Sequence, residues 1–387
     1  MSDRSFLEWP FFDDSHRELA DGLEQWCRSE LAEEPGEDVD AECRALARKL
    51  GDGGWLRYCV PAAYGGMRET LDVRSLALIR ETLARHNGLA DYAFAMQGLG
   101  SGTITLFGSE KQKQHYLPRV ASGEWIAAFA LTEPETGSDI ANLQMVADVE
   151  REGWNFRGSK TYISNGTIAD FFVIFARFGD TPGAKGVSAF ILPRRCGGKF
   201  EVEPIDVIAP HPLATLNLDC WTGSNMMIGE SGMGFKYAMA TLDIFRTTVG
   251  AAALGFARRA LDEATKRALN RKLGDGTLAD NAITQSKLAE MVVDIETSAL
   301  LIYRSAWVRD VLGRRNSREA AMAKLHATDC AQQVIDKAVQ MFGGLGVTKG
   351  CIVERLYREI RALRIYEGAS EVQKVVIARA HLAEYRG

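Results

Sequence analysis

Ala128-Phe129-Ala130-Leu131-Thr132-Glu133-Pro134-Glu135-Thr136-Gly137-Ser138-Asp139 marks the point at which the texture of this 387-residue chain changes. Upstream, from Ser15 to about Gly123, charged residues alternate with Leu and Ala clusters, with breaks at Pro35-Gly36, Gly51 to Gly54 and Tyr64-Gly65-Gly66. That pattern predicts several packed helices. Downstream, to about Gly234, the runs Met145 to Val149, Trp154 to Phe156, Phe171 to Phe175, Val187 to Leu192 and Thr215 to Cys220 alternate with Gly, Pro and Asp turns, predicting a compact β domain. Beyond Gly234, Val249, Ala253, Phe256, Ala260, Ala264 and Ala268 recur at three- and four-residue steps, the apolar face of a long helix. A second such stripe runs through Ala327, Ala331, Val334, Ala338 and Met341, and a third through Val372, Val375, Val376 and Ala380. The expected organisation is therefore α+β and multidomain: helical over 1–125, β over 126–234, helical again over 235–387.

Composition narrows the function. Hydrophobic residues make up 46% and charged residues 25%, an ordinary globular balance that excludes disordered and collagen-like chains. With 46 basic and 51 acidic side chains the formal charge is −5, so there is no overall electropositive excess to neutralise a nucleic-acid backbone. No apolar run approaches the roughly 20 residues that span a bilayer, and neither nucleic acid nor membrane is expected as a partner. Met1 to Asp14 mixes acidic residues with Trp9, Phe11 and Phe12, which reads as neither a signal nor a transit peptide, and a cytoplasmic location is expected. The seven cysteines are scattered without a CxxC pair, and none of the six histidines stands at ligand spacing, so no metal is expected.

Four segments carry candidate chemistry. The quoted stretch enters as an apolar strand and ends in a Gly137-Ser138-Asp139 tip rich in N–H and hydroxyl donors; by pattern alone it is a β-turn, and it also suits a polar ring or a phosphate. Gly158 to Gly166 sets Tyr162, Ile163 and Ser164 beside an Asn-Gly turn, a hairpin signal. The glycines of Gln340-Met341-Phe342-Gly343-Gly344 serve either as a helix stop or as a backbone that a bulky ligand approaches closely. In Ile365-Tyr366-Glu367-Gly368, a glutamate ahead of an apolar helix is either a solvated surface group or a base tuned by burial.

In this order and spacing the four segments, with Asp243 and Arg246, resemble the acyl-CoA dehydrogenase family over nearly the whole chain. The resemblance implies an N-terminal helical domain, a middle β domain and a C-terminal four-helix bundle, assembled as a homotetramer with FAD. It implies α,β-dehydrogenation of an acyl-CoA thioester, Glu367 taking the α-proton while flavin N5 accepts the β-hydrogen as hydride. The thioester oxygen is expected to bond the Glu367 backbone N–H and a ribityl hydroxyl of the flavin. The flavin ring is expected between the β domain and the C-terminal bundle, along Phe129, Leu131 and Thr132, with Gly137, Ser138, Ile163 and Ser164 around it. Tyr162 stands where many members have Trp. Asp243 and Arg246 match the pair at the CoA moiety, with Ser138, Tyr366, Gly368 and Asp91 also on the substrate side. Arg271, Gln340, Gly343 and Gly344 match residues that reach the adenosine half of an FAD bound mainly by a neighbouring subunit.

The expected electron acceptor is an electron-transferring flavoprotein. An acyl-CoA oxidase, a dehydrogenase of carrier-protein-bound acyl groups and a non-catalytic flavin- or acyl-CoA-binding scaffold are the competing readings. Phe245 occupies the position at which some members place the base, which leaves Glu367 as the sole candidate. Against the pattern of the family it resembles, the usual aromatic-Gly pair reads Leu273-Gly274, a Gln position reads Ala282 and the Thr after the Glu-Gly reads Ala369; the resemblance places these near the adenine and so implies weaker FAD retention. Asp91 stands where the glutaryl-CoA branch has a basic residue, which predicts a neutral or polar acyl group and poor use of dicarboxylyl esters, although a solvated Asp91 fits the sequence as well.

Overall fold

A computed structural model describes residues 3–31, 36, 38–150 and 153–386; Pro35, one of the breaks read from the sequence, lies outside them. Five helices come first: α1 (Asp14–Glu30), α2 (Val39–Asp52), α3 (Val73–His86), α4 (Gly88–Phe107) and α5 (Glu110–Ala121). Eight strands follow: β1 (Ala127–Ala130), β2 (Val146–Glu150), β3 (Gly153–Ser164), β4 (Phe171–Arg177), β5 (Val187–Pro193), β6 (Gly197–Pro204), β7 (Leu213–Gly223) and β8 (Met227–Ile228). The chain returns to helix in α6 (Gly234–Asn270), forms the small hairpin β9 (Lys272–Leu273) and β10 (Gly276–Thr277), and closes with α7 (Ala282–Asp310), α8 (Ser317–Phe342), α9 (Ile352–Leu363) and α10 (Ser370–Arg386). Capping sets several starts: Asp13, Asp38, Asp72, Ser109 and Asn281 each accept a first-turn backbone N–H.

Packing groups the chain into two compact units. One comprises residues 34–71 and 92–242 and is built on an eight-stranded sheet of order β6-β7-β3-β2-β4-β5-β8, with β1 parallel to β4. Its core gathers Ala128, Phe156, Phe172, Phe190 and Leu216, all fully buried. β6 escaped the sequence reading because its alternation rests on Phe200 and Val202 alone, among Lys199, Glu201 and Glu203; charge of this kind suits the edge position it takes.

The other unit comprises residues 1–33, 72–91 and 243–387 and is helical. The α6 stripe is buried along its length, and so is the α8 stripe, with Met341 the least covered at 9% exposed. The α10 stripe behaves differently: Val375 is exposed, Val372, Val376 and Ala380 are half-buried, and the buried residue of that turn is Gln373. No helix among the described residues is long and apolar enough to cross a membrane.

Candidate active site

In the sheet unit, β1 delivers Phe129, Leu131 and Thr132 to a tight turn in which Glu133 and Thr136 exchange backbone hydrogen bonds of 3.1 Å each. Pro134 presets the turn. Glu133 is buried and its carboxylate accepts from Gln144 N (2.6 Å), Met145 N (3.0 Å) and Lys160 Nζ (2.8 Å). Lys160, fully buried, also donates to the Leu131 carbonyl (3.1 Å); burial pushes its ammonium down to about 8 and Glu133 opposes this. One buried ion pair thus fastens the turn to β3.

Beyond Lys160, β3 carries a bulge: Lys160 pairs with Leu216 but Ile163 with Ala214, one extra residue on the β3 side. Tyr162 absorbs it in a left-handed conformation (φ 54°) and is 64% exposed, while the Thr161 N–H donates to Thr132 O (3.0 Å). The turn and the end of β3 are thereby brought together. The hydroxyls of Thr132 and Ser164 have no partner among the described residues, and Gly137 and Ser138 sit exposed at the tip. A Cβ on Gly137 would meet nothing within 4 Å, so the chain itself imposes no glycine there.

In the helical unit, Glu367 lies in the connection between α9 and α10 in a left-handed conformation (φ 52°), followed by Gly368 at φ 94°. Tyr162, Asn165 and Glu367 are the non-glycine residues with positive φ among the described residues, and all three fall in the segments singled out from sequence. The turn at Glu367 is held from beneath. Its carbonyl accepts from Arg246 Nε (3.3 Å) and Gln373 Nε2 (3.5 Å), and the Gly368 carbonyl accepts from Lys324 Nζ (2.7 Å) and Gln373 Nε2 (2.8 Å). Gly368 is required, since a Cβ there would stand 2.5 Å from Gln373 Nε2 at an unfavourable φ.

Glu367 itself is half-buried, its Oε2 shielded and unpartnered, and its backbone N–H has no acceptor among the described residues. Burial raises its carboxyl above the usual glutamate range, against the pull of Arg80, Lys324 and Arg246. Asp243 and Arg246 are buried rather than on a helix surface: Arg246 Nη1 donates to Asp243 Oδ1 (3.2 Å), and Asp243 Oδ2 accepts from Ser317 Oγ (2.6 Å).

Asp91 is not a solvated loop residue. It lies in the first turn of α4, 4% exposed, and takes a two-pronged bond from Arg80, Nε to Oδ1 and Nη2 to Oδ2, both 2.9 Å. Its charge is therefore already matched, which removes the bare carboxylate on which repulsion of a dicarboxylyl group was expected.

Arg271, Gln340, Gly343 and Gly344 form a separate, exposed group. Arg267, one turn before Arg271, lies over the Phe342 ring at 5.5 Å, which makes the ends of α6 and α8 neighbours. Gly343 closes α8 at φ 63°, whereas a Cβ on Gly344 would meet nothing within 4 Å. Sequence reasoning missed Arg80, Lys324 and Gln373 as parts of the site. A signal existed for two of them. Lys324 continues the α8 stripe one step back from Ala327, and Arg80 interrupts the run Leu76-Ala77-Leu78-Ile79. Among the described residues no group of three or more His, Cys, Asp or Glu is placed to hold a metal ion.

Models of the N-terminal, middle and C-terminal domains of acyl-CoA dehydrogenase match residues 13–124, 128–219 and 232–382. The human mitochondrial short-chain specific acyl-CoA dehydrogenase is 37% identical over 348 residues, 88% of this chain and 83% of that protein. Butyryl-CoA dehydrogenase from Megasphaera elsdenii superposes with a TM-score of 0.88 at 31% identity, over 96% of this chain and 99% of that one. An acyl-CoA dehydrogenase complexed with FAD from Bacillus anthracis gives 0.89 at 28% identity, over 100% of this chain and 72% of that one. The chain belongs to the acyl-CoA dehydrogenase family, which uses FAD.

Proposed function

We propose that this chain converts an acyl-CoA thioester to the 2-enoyl thioester, with Glu367 as the base that removes the α-proton. The observation that carries this reading is the state of Glu367: an unpartnered carboxylate oxygen with raised proton affinity, on a turn fixed by Arg246, Lys324 and Gln373. A carboxylate desolvated in this way is a stronger base than one in water. The free Glu367 N–H is a donor for the charge that develops on the thioester oxygen as the α-proton leaves. Phe245 has no basic atom, so the proton goes to Glu367.

FAD, when bound, accepts the β-hydrogen with its electron pair. Thr132 and Ser164 would hold the flavin ring through their unpartnered hydroxyls, with Phe129, Leu131, Gly137, Ser138, Tyr162 and Ile163 around it. Arg271, Gln340, Gly343 and Gly344 would take the adenosine half of a cofactor shared with a second copy. Their exposure and the open space over Gly344 support that reading. The working form is then a homotetramer in the cytoplasm that passes electrons to an electron-transferring flavoprotein, with Asp243, Arg246 and Tyr366 on the substrate side.

Anaerobic mixing of the FAD-loaded protein with saturated acyl-CoA esters tests this. Bleaching of the flavin absorbance by at least one ester, lost in Glu367→Gln, is expected; a flavin that stays oxidised with every ester refutes the reading.

A further inference from the structure

β4 runs through six buried apolar residues, Phe171 to Ala176, and ends on a half-buried arginine, Arg177. The side-chain bonds of Arg177 among the described residues all go to main-chain carbonyls. Nε donates to Leu143 O (2.6 Å), Nη2 to Ala141 O (2.6 Å), and Nη1 to both Thr181 O (3.1 Å) and Gly183 O (3.3 Å). Those carbonyls lie in two irregular stretches, one following the Gly137-Ser138-Asp139 tip and one in the β4–β5 connection, where no sheet ladder supplies partners. Gly186 keeps the slot open, since a Cβ there would stand 1.9 Å from Thr181 O and 2.6 Å from Arg177 Nη1.

The tip is the far end of an excursion that leaves the sheet at Glu133 and returns at Met145. The Glu133 carboxylate closes its two ends through Gln144 N and Met145 N, and the Arg177 N–H adds a bond to Met145 O (2.7 Å). Just past the tip, Asn142 bonds back to Asp139, N to O at 3.1 Å and Nδ2 to Oδ2 at 2.6 Å. Residues 139–142 therefore move as one piece, and the Arg177 guanidinium fastens that piece to the end of β4 through Ala141 and Leu143.

We infer that Arg177 is a positioning residue for the cofactor: its guanidinium sets the limb that returns from the tip, and so presents Gly137 and Ser138 to the flavin in a fixed arrangement. This rests on the reading that places Gly137 and Ser138 beside the flavin. Arg177 acts through the backbone on retention of FAD, while proton removal stays with Glu367. A planar guanidinium has five N–H groups spread over three nitrogens, which is why one side chain serves two stretches of chain at once. Lysine gathers its donors on a single nitrogen and can serve one stretch or the other. Methionine serves neither, and the freed limb then visits arrangements that do not bind; affinity falls with the fraction of time spent in the competent one.

The test uses the FAD-loaded protein and reads flavin in the filtrate at timed ultrafiltration, with hydrogen exchange at the amides of residues 137–143 followed in parallel. Arg177→Met is expected to release FAD about tenfold faster or more, because changes of this kind fall mainly on the dissociation rate. Arg177→Lys should lie between it and the parent, and exchange at 137–143 should quicken in the same order. Should Arg177→Met fail to fold by circular dichroism, Arg177→Lys carries the comparison alone. Gly137→Val tests the underlying reading separately: the chain leaves space for that side chain, so only a ligand lying close to the tip makes it harmful. Arg177 variants that hold FAD as the parent does, while Gly137→Val releases it faster, overturn the inference and leave the tip at the flavin. Faster release from the Arg177 variants with unchanged exchange at 137–143 also overturns it, since the effect then bypasses the tip. Release from Gly137→Val at the parent rate overturns the placing of the tip itself, and the inference with it.

Discussion

Glu367 is kept in a state that the folded chain would relax if function did not require it. A left-handed backbone at a non-glycine residue costs on the order of 1–3 kcal/mol, and the desolvated carboxylate adds to that. Because its proton affinity is raised on folding, the folded chain binds the proton more tightly than the unfolded chain does. Stability is therefore lost as pH climbs from the ordinary glutamate range through the raised value. Glu367→Gln removes the charge and keeps the shape. We expect its melting temperature at neutral pH to lie above that of the parent while flavin reduction slows at least ~10³-fold, the contribution of a general base. The same proton sets the pH profile: kcat/KM should fall on the acid side with a midpoint above the ordinary glutamate range, and that limb should disappear in the residual activity of the variant. A variant both less stable and fully active would remove Glu367 from the chemistry.

At the scale of elements, the buried pair Lys160–Glu133 ties the turn after β1 to β3 at 2.8 Å. Truncating one member leaves an uncompensated buried charge, so Lys160→Met should cost about 3–5 kcal/mol in urea unfolding. Lys160→Met with Glu133→Gln should recover part of it, because Gln144 N and Met145 N keep an acceptor. A single variant within 0.5 kcal/mol of the parent would mean that the pair is dispensable. Most elements were legible beforehand because periodicity reports burial directly: the α6 and α8 stripes, the α-β-α order and the strands around Phe172 and Phe190 follow from it. What periodicity does not report is the partner. Lys324 falls on the α8 stripe, and Arg80 ends the apolar run Leu76 to Ile79 of α3; nothing in the order of residues says that one meets the Gly368 carbonyl and the other Asp91. The bulge at Tyr162 was invisible for a related reason, since one extra residue changes register without changing composition.

The whole molecule exposes what a single chain leaves unfinished. Val375, Leu382 and Tyr385 on α10 and Ile283, Val293 and Leu300 on α7 are large apolar residues in the open, and the stripe on α10, unlike those on α6 and α8, is not buried within the chain. Arg271, Gln340, Gly343 and Gly344, proposed above to take the adenosine half of the cofactor, are exposed on the same helical unit. Association of copies and retention of FAD should therefore be linked. Light scattering is expected to report a tetramer, and Leu300→Asp, which sets a charge on the α7 face, to shift it toward smaller species that hold less flavin. On the proposed adenosine-side reading, this sequence thins the grip on the adenine. Gly274 turns the exposed β9–β10 hairpin at φ 60° with nothing within 4 Å of a Cβ, Ala282 opens α7, and Ala369 precedes α10, none of them offering a stacking ring or a polar group. Each such contact is worth roughly 1 kcal/mol, and three together would account for on the order of a hundredfold in affinity. Extended dialysis should leave a substoichiometric flavin-to-protein ratio, with activity restored by added FAD, because Thr132 and Ser164 are untouched by these replacements. Leu300→Asp should release flavin faster still. Full occupancy after dialysis in both proteins would show that the adenosine half contributes little to retention, and that the grip lies with the ring contacts of the sheet unit.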